Sequence, residues 1–276
     1  MWINGSGNPS CIVEEIERTS YEFSCTCKEL NEKYEIKINS GNHKEKYEIK
    51  SGSGNYNEDL PFLTLLKSCA EKKDLLEGSR LHNAILEMGL LRGNPFISSS
   101  LINMYAKCGD LTKAQHVFEN FQDRNVMLWT ALIAGYAEHG YSLNALDSFE
   151  KMKLEGISPD PLAFVYILKA CGALGNAGKA RQLHGEICNM CFDRDMLVSS
   201  SLVDMYAKCG LLDTSQDMFD RLPIHDIVSW NVLLSGYADN ACDEEVLICI
   251  EQLHHEGIHP NTVTYVSSLK SCGNIG

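Results

Sequence analysis

The residues best suited to chemistry lie in the stretch Leu183–Cys191, which reads LHGEICNMC. It combines an H-x-E pattern with a C-x-x-C pattern. Zinc nucleotide deaminases use a histidine and two cysteines as metal ligands and a glutamate to transfer protons. In those enzymes the two halves lie on separate helices, whereas His184, Cys188 and Cys191 fall on one predicted helix. The spacing therefore argues against a zinc site, and we expect no metal.

The other candidate motifs are weaker. His82 occupies the place of His184 in a similar upstream stretch, RLHNAIL, but no C-x-x-C follows it. Nothing like a thioredoxin βαβ unit surrounds Cys188 and Cys191, and Cys25–Cys27 has the wrong spacing for a zinc knuckle. The sequence contains no phosphate loop, G-x-S-x-G or H-E-x-x-H motif. We therefore expect a binding protein with no cofactor and no enzymatic activity.

Composition narrows the possible classes of protein. The 276 residues are 44% hydrophobic and carry a net charge of −13, which argues against binding to nucleic acid through bulk charge alone. No apolar run approaches the roughly 18 residues of a membrane span, so no membrane partner is expected. Several of the twelve cysteines recur among apolar residues and are predicted to be reduced, buried and hydrophobic in role: Cys69, Cys108, Cys171, Cys209 and Cys272.

The first 58 residues differ from the rest and remain unassigned. They carry seven Lys/Arg and ten Glu residues, and EKYEIK occurs twice. Tyr34, Ile36 and Ile38 alternate with polar residues, as do Tyr47 and Ile49, which favours a small β-hairpin. The same composition is also compatible with disorder. The segment is rich in glutamate, unlike an organelle transit peptide, so no transit peptide is visible.

A long internal repeat dominates the remaining sequence. SLINMYAKCG at Ser100–Gly109 recurs as SLVDMYAKCG at Ser201–Gly210, a shift of 101 residues. With the same shift, WTALIAGYAEHG from Trp129 aligns with WNVLLSGYADNA from Trp230. Repetition on this scale is typical of stacked structural units rather than of an active site.

Each repeat predicts two helices. Trp129, Leu132, Ile133 and Tyr136 follow the i, i+3, i+4, i+7 spacing of an apolar helix face, and Gly140 ends that helix. A second apolar stripe follows before the next unit. Helices with one apolar face each become stable when neighbouring pairs cover those faces, which predicts an all-α solenoid. The predicted solenoid covers 59–276, with units at 59–94, 95–125, 126–160, 161–195, 196–226 and 227–261 and a partial unit at 262–276.

Units of about 31–36 residues in this alternation resemble the plant pentatricopeptide repeat proteins of the PLS class. The resemblance rests on phrases such as VMLWTALIAGYAEHGYSLNALDSFEKMKLEGISPD and LKACGALGNAGKARQLHGEI. It implies a right-handed α-solenoid that binds single-stranded RNA of a mitochondrion or chloroplast, one base per repeat. In this family such proteins typically specify C-to-U editing. The chain shows no editing-recruitment or deaminase domain, so editing would require a partner protein that supplies the deaminase.

A tetratricopeptide-like scaffold for protein partners is the alternative. From Trp129, the Leu132, Tyr136, Ala145 and Phe149 positions fit that repeat. Ile133 stands where the tetratricopeptide repeat has glycine, which favours the RNA-binding family.

The resemblance also implies which residues read bases, namely the fifth and the last residue of each unit. In order along the chain, the pairs and the bases they favour in the family are Ser99 with Asn125 for A, Thr130 with Asp160 for G, Ser200 with Asp226 for G, and Asn231 with Asn261 for a pyrimidine. The two long units have an apolar fifth residue and a polar last residue (Leu63 with Asn94, Val165 with Asp195), and they are expected to act as spacers. Met127 and Val228, the second residues of their units, are expected to sandwich bases.

A simpler interpretation applies to each pair taken alone. Ser, Thr, Asn and Asp are common residues at the start of helices, where they cap backbone N–H groups. Capping and base reading therefore both remain explanations of these eight residues. The recurrence of polar residues at both positions in every complete unit except the two long ones favours base reading.

Overall fold

The structure is a computed structural model that describes residues 36–39, 46–49, 60–91 and 93–275. Within these residues the chain forms two short strands and 13 α-helices. The chain divides into two compact units, Met1–Arg92 and Gly93–Gly276. The Cys25–Cys27 motif and Tyr34 lie outside the described residues.

The first unit contains the predicted hairpin and one helix pair. Strands β1 (Ile36–Asn39) and β2 (Lys46–Ile49) pair antiparallel, with Ile36 opposite Ile49 and Ile38 opposite Tyr47. The two strands lie at the positions where the alternating pattern predicts a small hairpin. Helices α1 (Leu60–Lys72) and α2 (Leu75–Glu87) follow, and their apolar faces bury Leu66 and Ile85, among others.

The second unit consists of helices joined by short turns. Five helix pairs precede a last helix, and their bounds are α3 (Pro95–Lys107), α4 (Leu111–Glu119), α5 (Val126–Glu138), α6 (Ser142–Leu154), α7 (Pro161–Leu174), α8 (Ala177–Asn189), α9 (Met196–Lys208), α10 (Leu212–Asp220), α11 (Ile227–Asp239), α12 (Asp243–His255) and α13 (Thr262–Ile275). The first helices of successive pairs pack side by side, from α3 through α5, α7, α9 and α11 to α13. The all-α repeat solenoid predicted from the sequence is therefore confirmed.

The repeated phrase MYAKCG has a structural role in this packing. Ala106 and Ala207 lie where the first helices of neighbouring pairs approach each other closely. A Cβ atom at Gly135 would lie 2.8 Å from Cβ of Ala106, and one at Gly236 would lie 2.5 Å from Cβ of Ala207. The glycine that ends the phrase adopts a left-handed conformation, with φ of +84° at Gly109, which turns the chain after the helix. The phrase is therefore part of the scaffold.

Aromatic residues anchor each repeat in the core. Trp129 contacts Phe118 edge to face at 4.5 Å between ring centroids, and Trp230 contacts Phe219 in the same way at 4.6 Å. Both indole rings are buried, and each indole N–H donates to a glutamate carboxylate 26 residues later in the chain. The 101-residue repeat thus preserves these side-chain contacts as well as the residue types.

The burial predicted for the cysteines is only partly correct. Cys69 and Cys171 are buried, and Cys108 and Cys209 are half-buried, but Cys272 is exposed. Cys272 lies on the same face of α13 as Leu269, which is 71% exposed. The counterpart of that face on α7 is covered by α8, whereas in the described residues no helix follows α13. None of the helices described by the structure is long and apolar enough to cross a membrane.

Candidate nucleic-acid interface

Two of the four predicted base-reading pairs are in direct contact. The Thr130 hydroxyl on α5 donates to Oδ1 of Asp160 at 3.2 Å, and Nδ2 of Asn231 on α11 donates to Oδ1 of Asn261 at 3.1 Å. Each contact joins residues 30 positions apart, across one helix pair. Thr130 and Asn231 are nearly buried, at 5% and 8% exposure, so neighbouring helices restrict their side chains.

The last residue of each of the four units predicted to read a base caps the next helix. Oδ1 of Asn125 accepts a hydrogen bond from a backbone N–H at the start of α5, and Oδ1 of Asp160, Asp226 and Asn261 does the same at α7, α11 and α13. The capping interpretation is thus correct for these four residues. It leaves one polar atom of each side chain uncommitted, because an aspartate keeps a second carboxylate oxygen and an asparagine keeps its amide nitrogen.

The other two predicted pairs are not brought together. The Ser99 hydroxyl donates to the backbone carbonyl of Phe96 at 3.1 Å, and no hydrogen bond in the described part of the chain links it to Asn125. Likewise, no hydrogen bond in that part links Ser200 to Asp226. Both serines are half-buried near the start of their helices. A serine side chain is shorter than that of asparagine and can bond its own helix backbone instead.

A pocket surrounds the Asn231–Asn261 pair. It has a volume of about 530 Å³ and lies between α9, α11 and the start of α13. Two exposed valines stand at its rim, Val228 at 61% exposure and Val263 at 50%. An open pocket lined by polar amides and by two exposed apolar side chains has the chemical groups needed to hold a planar base.

Exposed apolar side chains recur at the second position of the units, and most were missed from the sequence. Only Met127 and Val228 were predicted there, and Met127 is half-buried. The structure adds Phe96, Leu162, Leu197 and Val263, which are between 47% and 67% exposed. The feature was detectable in the sequence, because each of these residues directly follows the first residue of a predicted unit.

The charges beside the pocket are paired. Lys208 donates to Asp204 on the same helix at 2.6 Å, and Lys270 on α13 donates to Asp239 on α11 at 2.7 Å. Of these residues, Asp204, Lys208 and Asp239 line the pocket, and its lining contains no glutamate. The pocket therefore combines neutral amides with ion pairs and has no excess of either charge.

The residues of the H-x-E and C-x-x-C motifs lie on α8 and in the turn after it. His184 interacts through Nδ1 with the Tyr206 hydroxyl at 2.8 Å, and burial, with a smaller contribution from Arg221, lowers its pKa. The prediction that both motifs share one helix is wrong in one detail. Helix α8 ends at Asn189, and Cys191 lies beyond it with a φ of +59°. No group of three or more potential metal ligands occurs among the described residues.

The two long units differ from the four units that are predicted to read bases. Val165 on α7 is half-buried, and its partner Asp195 caps α9 by accepting hydrogen bonds from the N–H groups of Leu197 and Val198. An isopropyl group offers no hydrogen bond to a base. Leu63 and Asn94 fall in different compact units.

Sequence profiles of known protein families match the repeats. Sequence profiles described as PPR repeat match residues 96–126 and 198–227. The profile of the PPR repeat family matches 124–173, and that of the pentatricopeptide repeat domain matches 218–275.

Individual relatives and solved structures agree. One chloroplastic pentatricopeptide repeat-containing protein of Arabidopsis thaliana is 33% identical over 211 residues, covering 76% of this chain and 34% of the relative. A mitochondrial one is 35% identical over 215 residues, covering 78% of this chain and 21% of the relative. The crystal structure of the pentatricopeptide repeat protein PPR10 with an 18-nt psaJ RNA element superposes with a TM-score of 0.63 at 18% identity, covering 79% of this chain and 33% of PPR10. This chain thus spans about a third or less of the length of these proteins. It belongs to the pentatricopeptide repeat family.

Proposed function

We propose that this chain binds single-stranded RNA, with one base held at each reading unit. The observation that carries the proposal is the pair of polar side chains hydrogen-bonded across a repeat, Asn231 with Asn261, in an open pocket that Val228 and Val263 also line. Apolar side chains above and below a base provide sequence-tolerant contact, and polar atoms at its edge provide discrimination. The structural similarity to PPR10, whose crystal structure contains RNA, supports the proposal of RNA binding.

The Thr130–Asp160 pair presents hydrogen-bond acceptors. The Thr130 hydroxyl hydrogen is directed at Oδ1 of Asp160, which also accepts from the backbone N–H of Ala163 at 2.7 Å. The remaining carboxylate oxygen and the lone pairs of the hydroxyl can only accept. Guanine presents N1–H and the N2 amino group along its Watson–Crick edge, so this unit favours guanine.

The Asn231–Asn261 pair presents donors instead. Oδ1 of Asn261 accepts from the backbone N–H groups of Val263 and Thr264, at 3.0 and 3.2 Å, so its amide nitrogen remains as a donor. Cytosine carries acceptors at N3 and O2, whereas uracil carries a donor at N3. The unit therefore favours a pyrimidine, and cytosine over uracil.

The remaining units make a weaker contribution. Ser99 with Asn125 is assigned to adenine and Ser200 with Asp226 to guanine, and the long unit at 161–195 acts as a spacer. The predicted target reads A, G, any base, G, C from 5′ to 3′. At roughly 1–3 kcal/mol of stacking or discrimination for each base, less the cost of ordering the strand, we expect a Kd no tighter than about micromolar.

The wider role is proposed from the resemblance to the PLS class. We propose that the chain represents a PLS-class array that marks a site in an organellar transcript, for C-to-U editing or for processing. A deaminase for editing would be supplied by a partner protein. The chloroplastic and mitochondrial relatives support an organellar location.

Equilibrium binding to synthetic RNA tests this function. Fluorescence anisotropy with an RNA that contains the predicted order should give tighter binding than a scrambled RNA of the same composition. Replacing Thr130 by Asn and Asp160 by Ser should move the preference at that base from G towards C. Equal binding of both RNAs would refute the assignment of bases.

The tetratricopeptide-like scaffold remains the alternative, supported by the net charge of −13. It requires a groove with unpaired carboxylates or another surface for a peptide. The pocket around Asn231 has no glutamate, and its aspartates are paired with lysines. These features favour RNA over a basic peptide at this position.

A further inference from the structure

One hydroxyl outside the predicted base-reading pairs contacts the Asn231 amide. Thr264, the third residue of the partial unit that begins at 262, is 1% exposed at the start of α13. Its hydroxyl donates to Oδ1 of Asn231 at 2.7 Å, across 33 residues of sequence. The same hydroxyl lies farther from Oδ1 of Asn261, at 3.3 Å, so Asn231 is its nearer acceptor.

The surrounding hydrogen bonds determine which way the Asn231 amide points. Oδ1 of Asn261 accepts two backbone N–H groups, so the Asn231 atom next to it must be the donor, Nδ2. Oδ1 of Asn231 then faces Thr264, whose oxygen also accepts the backbone N–H of Asn261 at 3.2 Å. With that N–H donating to it, the Thr264 hydroxyl turns its own hydrogen towards Asn231.

We infer that Thr264 is a positioning residue that holds the Asn231 amide with its second Nδ2 hydrogen free for the base, so that this unit rejects guanine. The inference rests on the proposed RNA-binding function. Both pyrimidines present the O2 acceptor to such a donor, whereas guanine presents its N2 amino group in the equivalent place. An amide turned the other way would offer Oδ1 and accept that amino group.

Among the described residues, the other three units predicted to read bases show no such contact. The residue equivalent to Thr264 after the Ser99–Asn125 pair is Leu128, which has no hydroxyl. The residue equivalent to Thr264 after the Thr130–Asp160 pair is Ala163, which has no hydroxyl. After Ser200 and Asp226 it is Ser229, whose hydroxyl donates to the Asp226 backbone carbonyl at 2.9 Å. Within the described part of the chain, the contact from the third residue of the following unit is therefore specific to the Asn231–Asn261 pair.

The test is the base preference of Thr264→Val, which removes the hydroxyl and keeps the shape of the side chain. RNAs that differ only at the base read by Asn231 are compared with C, U or G at that position. The preference for C over G should fall about fivefold, the factor expected for one neutral hydrogen bond of about 1 kcal/mol. The preference for C over U should stay unchanged, because Asn261 makes that distinction.

Two matched variants separate positioning from general structural damage. Thr264→Ser keeps the hydroxyl and should retain the parent preference for C over G. Thr262→Val makes the same change at an exposed residue two positions earlier and should have no effect. If the parent chain prefers C to G and Thr264→Val keeps the full preference, the role of Thr264 is refuted. If the parent does not discriminate among the RNAs, the proposed function itself fails.

Discussion

Replacing Asp160 by Asn separates helix capping from base reading. Oδ1 of Asp160 caps α7 through the Ala163 N–H, and asparagine retains an equivalent oxygen with a similar capping preference. The second carboxylate oxygen becomes an amide nitrogen, so an acceptor becomes a donor at the base edge. One hydrogen bond to guanine is lost, and a donor then faces the N1–H group.

The size of the effect follows from that exchange. An unmade hydrogen bond at a partly buried polar group costs about 1–3 kcal/mol, which corresponds to an increase of about five- to 150-fold in Kd for RNA with G at this position. RNA with A should bind the variant better than RNA with G, because N1 of adenine accepts a hydrogen bond. Anisotropy titrations with RNAs that differ only at this base measure both values.

Asp195→Asn is the matched control for this prediction. Asp195 caps α9 in the same way, but its unit has Val165 at the fifth position. The control loses the same charge near a helix N-terminus, worth about 0.3–1 kcal/mol of stability, without a change in base preference. If Asp160→Asn still prefers G, or if Asp195→Asn changes the preference equally, then the uncommitted atom of the capping residue does not read the base.

Three further predictions concern packing, ionic strength and pH. Gly236→Ala should lower the free energy of unfolding by about 1–3 kcal/mol, because the new methyl group would overlap Ala207. Gly185→Ala, in open space on α8, should raise the free energy of unfolding by up to about 1 kcal/mol. Urea titration measures both values, and equal stability of the two variants would contradict the close approach of α11 to Ala207. RNA affinity should depend weakly on salt concentration, because the lysines near the pocket are paired with aspartates. The slope of log Kd against log salt concentration should be no more than about 1.4, the value for two phosphate contacts. A much steeper slope would indicate a phosphate-binding surface elsewhere. Burial raises the pKa of Cys171 from its ordinary value of 9.0 to about 11 and that of Cys249 to about 12. The stabilisation linked to a raised thiol pKa is fully present at a pH below the pKa of the unfolded chain and is lost as the pH passes the pKa of the folded chain. The free energy of unfolding should therefore fall as the pH rises from about 9 to about 12, and it should fall less in Cys171→Ala.

Much of the fold was predictable because it depends on local spacing. Apolar residues at i, i+3, i+4 and i+7 determine which face of α5 is buried, and the capping residue Asn125 before this helix and Gly140 after it mark its ends. The repeat of Trp129 at Trp230 then shows that the same pair of helices is built twice. These features need no knowledge of distant contacts, which is why the helix pairs were correctly expected.

The site was less predictable because its geometry depends on residues about 30 positions apart. Sequence position alone gives Ser99 and Ser200 the same predicted role as Thr130 and Asn231. Only Thr130 and Asn231 form a hydrogen bond with the last residue of their unit. Cys272 was expected to be buried like Cys171, but burial depends on whether a following helix covers that face.

The sequence by itself determined the repeat, the helices and the positions of the polar pairs, because all three are recorded in short-range spacing. Only the tertiary structure decided which atoms of those pairs remain uncommitted. It brings the Thr264 hydroxyl from the next unit to 2.7 Å from Asn231, and that contact sets the direction of the amide. A hydrogen bond between separate helices follows from how closely they pack, which no local pattern specifies.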